Sequence, residues 1–358
     1  MFKLALSAFI SLLFAMTPAE AAKVEQRGST ATVKKQVVKK SAAKKPRYKR
    51  REAAASKRIS VSTRDKSVRR VITVRGKRKV VYQRLAAAAP IVRSLTAGDR
   101  AGLNHTRDPL DLASSVALVL DQTNSEVLFE KNASVALPIA SITKLMTGLI
   151  VVEAQQDMDE MLTVTDDDVD REKFTTSRLR VGSRLSRREM LHIALMSSEN
   201  RAAAALGRNY PGGIQGFVAA MNAKARELGM NDTRYVDSSG LSSRNVASAR
   251  DLAKLVMAAH QQPLLREFST DPGSTVAAGG RTMQYRNTNY LVSLPDWDIG
   301  LQKTGFINEA GRCLVMQTII QGRAVIMVFL DSKGKQSRTA DAGRMRRWLE
   351  ALKPPGLS

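Results

Sequence analysis

Nearly all of the chain's positive charge sits in one segment, and that segment cannot supply a folded core. Between Lys23 and Leu85 there are 23 lysines and arginines against three acids, Glu25, Glu52 and Asp65. They account for +20 of a formal net charge of +24, so all other residues together carry only +4. From Lys23 to about Arg58 the residues are Lys, Arg, Ala, Ser and Thr with hardly any large apolar side chain. Such a stretch buries too little surface to offset ordering entropy and reads as disordered. Between Ile59 and Tyr82 the pattern alternates, with Val71-Ile72-Thr73-Val74 and Val80-Val81-Tyr82 on either side of Gly76. That predicts a two-stranded hairpin, marginal without partners. Ala86 to Leu110 reads as a linker.

Ahead of the basic tail, Met1-Phe2-Lys3 gives a short positive start, Leu4 to Met16 is mostly apolar, and Ala19-Glu20-Ala21 places small residues around a cleavage point. This is the pattern of a secretory signal peptide. Its apolar run is shorter than the roughly 20 residues a membrane span needs. Export with removal of the leader is expected. The single cysteine, Cys313, excludes an internal disulfide, so stability must come from apolar burial. The expected organisation is a signal peptide over 1–21, a basic tail and linker over 22–110, and one folded domain over 111–353.

Within that domain, Val116 to Leu120 and Glu126 to Phe129 flank Asp121-Gln122-Thr123-Asn124-Ser125, a hairpin signal. Pro138 precedes a helical stretch from about Ser141 to Glu153. Ser186 and Glu189 form a capping box opening the Met190 to Met196 helix. Ile214 to Leu228 stops at Gly229, and Leu252, Leu255, Val256 and Ala259 mark a further helix. Strands return at Trp297–Thr304, Cys313–Ile320 and Ala324–Leu330, with Gln321-Gly322-Arg323 as a turn. A last helix from about Ser337 to Leu352 is stopped by Pro354-Pro355. Hairpin, helical middle, strands and closing helix predict an α+β fold, an antiparallel sheet flanked by helices with a mostly helical subdomain.

Three short blocks carry the chemistry. Ser141 and Lys144 at i and i+3 share one helix face, close enough for an amine to take the serine proton. That requires a neutral lysine, and burial or a neighbouring cation such as Lys303 lowers its pKa. Ser198 and Asn200 are expected in a turn after the helix ending near Met196, Ser198 relaying a proton to the leaving amine and Asn200 holding a substrate amide. Lys303, Thr304 and Gly305 end a strand: the first two suit a terminal carboxylate, and Gly305 admits substrate backbone closely. Backbone amides of Ser141 and Phe306 would form the oxyanion hole. No histidine pair among His105, His192 and His260 has metal-ligand spacing, and neither a metal nor a cofactor is expected.

The set resembles the low-molecular-mass penicillin-binding proteins, the serine D-Ala-D-Ala peptidases. Beyond the motifs, Ala140 to Thr147, Met196 to Ala202, Gln302 to Gly311, Leu228-Gly229-Met230 and Asn287-Thr288-Asn289-Tyr290 are similar to the endopeptidase branch, and the likeness runs from Ser114 to Leu349. It implies a β-lactamase/DD-peptidase-like fold, an acyl-enzyme on Ser141, inhibition by β-lactams, peptidoglycan stem peptides as substrate and a periplasmic location. The short chain after Gly305 favours cross-link cleavage over trimming of pentapeptides by a carboxypeptidase. A serine β-lactamase needs a glutamate-held water, which Glu227 imitates only at a helix end. A polyanion-binding protein acting through the tail is the reading from a different class. Contact of the tail with cell wall or anionic lipid head groups and a solvated spacer are the two readings for that segment. The export signal and the scarcity of tail aromatics weigh against nucleic acid.

Overall fold

A computed structural model describes residues 67–74, 77–84, 94–278 and 280–352. The chain divides into two units, residues 1–87 and 88–358. In the first, β1 (Ser67–Val74) and β2 (Lys77–Arg84) pair antiparallel from Val74↔Lys77 to Ser67↔Arg84, where the alternation predicts a hairpin. The signal-peptide segment and the tail from Lys23 to Arg58 lie outside the described residues.

The second unit has an ordered element ahead of residue 111, where the sequence pattern starts the folded domain. Its first element is α1 (Ala97–Arg100), opened by a reciprocal Thr96–Asp99 capping box. The sequence pattern assigns these residues to a linker, yet the Ala97 amide donates to the Glu309 carbonyl (2.8 Å) and Lys333 pairs with Asp99. A four-residue helix has no measurable periodicity, and its anchors lie far along the chain.

Then come β3 (Ser114–Asp121), β4 (Val127–Lys131), β5 (Leu137–Pro138) and, through a 3-10 turn at Ala140–Ile142, α2 (Thr143–Glu153). The short pair β6 (Met161–Thr163) and β7 (Arg184–Ser186) precedes α3 (Arg187–Met196), which has the predicted Ser186–Glu189 capping box. Next are α4 (Asn200–Arg208) and α5 (Gly213–Glu227), the latter stopped by Gly229 at φ +68°. β8 (Val246–Ala247) returns to pair with β5. After it come α6 (Ala249–His260), α7 (Pro263–Thr270) and the hairpin of β9 (Gly273–Ala278) with β10 (Arg281–Arg286). The chain closes with β11 (Asp298–Ile307), β12 (Gly311–Ile320), β13 (Arg323–Ser332) and α8 (Ser337–Ala351).

Five strands form one antiparallel sheet in the order β11-β12-β13-β3-β4. The three late strands therefore add to the first hairpin, with β11 at the free edge. Alternation along each strand splits its side chains between two cores. Val116, Leu118, Ile326, Val328, Cys313 and Val315 face the helical layer, whereas Ala117, Val119, Met327, Phe329, Leu314 and Met316 face Ala342, Met345 and Leu349 of α8. Both faces are covered, so β3 is buried at every position and reads as a continuous apolar run.

The helical layer is organised around α2, in which every residue from Thr143 to Val151 is buried. A helix apolar all round belongs inside a protein. This one carries a lysine in its first turn.

Candidate active site

Ser141 sits in the 3-10 turn just before α2, half-buried, and Lys144 in the first turn of the α-helix proper. The residue before the serine, Ala140, holds φ at +47°. A non-glycine residue in that region is strained and persists only where its surroundings impose it. Here they do so with backbone. Gly240, itself at φ +81°, packs so closely that a Cβ would lie 2.0 Å from the Ala140 carbonyl oxygen. The Thr143 hydroxyl donates to that same oxygen (2.8 Å), and Asn245 Nδ2 donates to Thr143 Oγ1.

Gly240→Ala is therefore expected to cost about 2–4 kcal/mol, as left-handed strain plus overpacking, and to slow any reaction at Ser141. Gly182 has a similar φ of +86° but open space around its Cβ position, so Gly182→Ala should show the strain alone. Parallel thermal melts separate the two contributions. Equal losses would mean that the contact with Ala140 has no energetic weight.

Lys144 is fully buried, with Nζ 3.0 Å from Ser141 Oγ, 2.8 Å from Asn200 Oδ1 and 2.6 Å from the Ser239 carbonyl oxygen. Burial pushes its ammonium down to about 7, against the opposing pull of the Asp237 and Glu199 carboxylates. The three contacts decide what the neutral amine does. It keeps two N–H donors and one lone pair. Asn200 Oδ1 and the Ser239 carbonyl can only accept, so both N–H groups go to them. The lone pair is left for the one neighbour with a proton to give, the Ser141 hydroxyl.

Lys303 is also fully buried, and its Nζ donates to the Thr304 carbonyl (3.0 Å). Burial first, then the charges of Lys144 and Arg338, holds it well below the usual lysine range. Of the two causes expected from the sequence for a depressed Lys144, burial and a neighbouring cation such as Lys303, burial is the one that acts on it. Thr304 Oγ1 lies 2.6 Å from Thr288 Oγ1, which joins β11 to the Asn287–Asn289 segment. At Gly305 a Cβ would come within 2.8 Å of the Ile139 carbonyl oxygen and 3.2 Å of the Ser141 amide nitrogen. Glycine thus lets the edge strand lie against the serine turn. Phe306, the other expected oxyanion donor, follows directly and is half exposed beneath the Arg312 guanidinium (4.6 Å).

The middle block is split. Ser198 is left-handed (φ +64°), Glu199 caps α4, and Asn200 is the first residue of that helix. The motif spans the turn between α3 and α4, with Asn200 already inside the second helix. Asn200 joins the Ser141–Lys144 cluster through Oδ1, while its Nδ2 donates to Thr175 Oγ1 (3.0 Å). Ser198 is not drawn into that cluster: among the described residues its hydroxyl has no hydrogen-bond partner. It lines a cleft of about 660 Å³ together with Asn200, Thr176, Tyr285, Arg286 and Thr288. Glu227 is exposed at the end of α5 and paired with Lys224 (2.8 Å).

Two contributors escape the sequence reading. Asp237-Ser238-Ser239-Gly240 supplies the carbonyl that holds Lys144 and the glycine that fixes Ala140; Asp237 Oδ1 accepts from the Ser239 and Gly240 amides. The Asp/Ser/Gly run is a visible turn signal, though nothing in it marks a backbone carbonyl as functional. Arg338 of α8 lies behind β11 and donates to the carbonyls of Gly305 (2.8 Å) and Cys313 (3.3 Å). Burial pushes it down to about 10.

The pattern of peptidase S11, D-alanyl-D-alanine carboxypeptidase, matches residues 103–334. The D-alanyl-D-alanine endopeptidase of Pseudomonas aeruginosa is 52% identical over 242 residues, 67% of this chain and 78% of that protein. The D-alanyl-D-alanine endopeptidase of Escherichia coli is 46% identical over 245 residues, 68% of this chain and 79% of its own. Among solved structures, the Streptomyces K15 DD-transpeptidase superposes with a TM-score of 0.64 at 25% identity, covering 69% of this chain and all of that one.

Proposed function

Because the chain belongs to the D-alanyl-D-alanine carboxypeptidase family, peptidase S11, we propose that it is an exported, periplasmic serine D,D-endopeptidase that hydrolyses D-alanyl cross-links of peptidoglycan through an acyl-enzyme on Ser141. One observation carries the chemistry: the fully buried Lys144 amine, whose hydrogen-bond neighbours among the described residues are two carbonyl-type acceptors and the Ser141 hydroxyl. The endopeptidase preference is supported by two relatives of that description, each sharing about half of its aligned residues with this chain.

Ser141 Oγ attacks the D-alanyl carbonyl carbon as Lys144 Nζ takes its proton. The amides of Ser141 and Phe306 hold the oxyanion. Collapse breaks the C–N bond, and the leaving amine recovers the proton from Lys144; Ser198, in the cleft wall and without a hydrogen bond to Lys144 here, would relay it on turning toward the amine. Water then attacks the ester with Lys144 again as base, releasing a D-alanyl carboxylate and restoring Ser141. Asn200 holds a substrate amide, and Lys303 and Thr304 bind its carboxylate. An entering carboxylate favours the charged form of Lys303, since an opposite charge raises a depressed lysine pKa. β-Lactams acylate the same oxygen and inhibit. Among the described residues no helix is long and apolar enough to cross a membrane.

Digestion of intact sacculi with the purified protein, followed by separation of the muropeptides, tests the reading. Cross-linked dimers should fall and monomers rise in step. Conversion of pentapeptides to tetrapeptides with dimers untouched would assign the carboxypeptidase activity instead.

A further inference from the structure

A second cavity, of about 900 Å³, opens between the segment Ser177–Ser183 and β10. It shares Ser177, Arg178 and Gln284 as lining residues with the cleft that holds Ser198 and Asn200, so the two adjoin. Its wall carries Arg178, Arg180 and Arg281 and no carboxylate, and the adjoining cleft adds Arg286 along with the Glu199 carboxylate. Among the described residues none of these four arginines is paired with an acid. Arg178 is held in place, its guanidinium 5.0 Å above the Tyr285 ring and donating to the Gln284 carbonyl. The surface between them is mixed, with Val181, Ala278 and Met283 beside Ser183 and Thr282.

Unpaired guanidinium groups on a concave surface suit carboxylates, which they bind in a two-pronged, directional fashion. The volume lies in the range of built ligand sites and exceeds what the residues next to a scissile bond would fill. We infer that this arginine groove is a subsite for the acidic peptide arm of the substrate, binding free side carboxylates remote from Ser141. The inference rests on the peptidase reading for its ligand class, but binding at the groove needs no bond cleavage. An exposed arginine–carboxylate contact contributes little singly, so the groove works by several contacts at once and weakens with salt.

The test uses the full chain carrying Ser141→Ala and a fluorescein-labelled γ-D-glutamyl stem peptide ending in D-Ala-D-Ala. Its side carboxylates are either free or amidated, and binding is read by anisotropy. The free-carboxylate peptide should bind about tenfold more tightly than its amide, and R180E/R281E in the same background should erase that difference. Equal affinities for the two peptides, or a difference that survives R180E/R281E, would overturn the inference. If the double reversal melts early by circular dichroism, R180Q/R281Q serves in its place with the same two outcomes. Because the probe is never cleaved, a failed sacculus digestion and a failed groove are read separately.

Discussion

Ser141→Ala is expected to abolish covalent labelling by fluorescent penicillin and all release of D-alanyl products while leaving the thermal melt within a few degrees of the parent. The first half follows from the proposed role, since no ester forms without the oxygen. The second half follows from what the side chain touches. Ser141 is half-buried, and among the described residues its Oγ has one hydrogen bond, to Lys144. The strained turn around it is imposed by Gly240, Thr143 and Asn245, none of which contacts that oxygen. Deleting it leaves Lys144 with two carbonyl-type acceptors and removes no apolar packing. Gel fluorescence with intact-mass spectrometry reads the labelling. A persistent penicilloyl adduct on the variant would place the nucleophile elsewhere and remove the proposed mechanism with it.

Much of the architecture behind this prediction is legible in the residues, for identifiable reasons. The β3–β4 hairpin, the α3 capping box, the stop at Gly229 and the late strands follow from signals that act over a few residues. The α+β arrangement follows from their order. What stays hidden depends on contacts made far along the chain. The two-residue pair β5–β8 and the α1 segment have no local pattern to detect. The β9–β10 hairpin and α7 are amphipathic but short. At the site, Ser141, Lys144, Asn200 and the Lys303–Gly305 strand are recognisable as side-chain chemistry in a fixed order. The Ser239 carbonyl is not, because every residue has one and only the fold aims it at Lys144. Ser198 shows the converse. A residue legible in a motif stands in the cleft wall, outside the hydrogen-bond cluster.

Lys144→Met is expected to lower the rate of acylation by about 10²–10⁴-fold, the usual contribution of a positioned general base, and to flatten its dependence on pH. In the parent, the amine must be neutral to accept the Ser141 proton, and burial sets its pKa at about 7. The acylation rate constant should therefore rise about tenfold per pH unit below that value and level off above it. Methionine has no lone pair of comparable basicity, so the variant's residual rate should not follow that curve. Stability moves in a linked way. The folded-state pKa lies below the ordinary lysine value of 10.5, so between about pH 7 and 10.5 the unfolded chain binds more protons than the folded one. The parent should gain stability as pH rises through that window, with no further change from this group below it. Lys303, depressed by burial in the same direction, adds to the rise. The variant keeps only the Lys303 part, so its melting temperature should climb less steeply over the same range. Stopped-flow acylation by a chromogenic cephalosporin, with melts from pH 6 to 10, reads both. A variant that retains the parent's pH profile would show that another group removes the serine proton. A rate loss accompanied by an early melt at every pH would mean that Lys144 supports the fold and not the reaction.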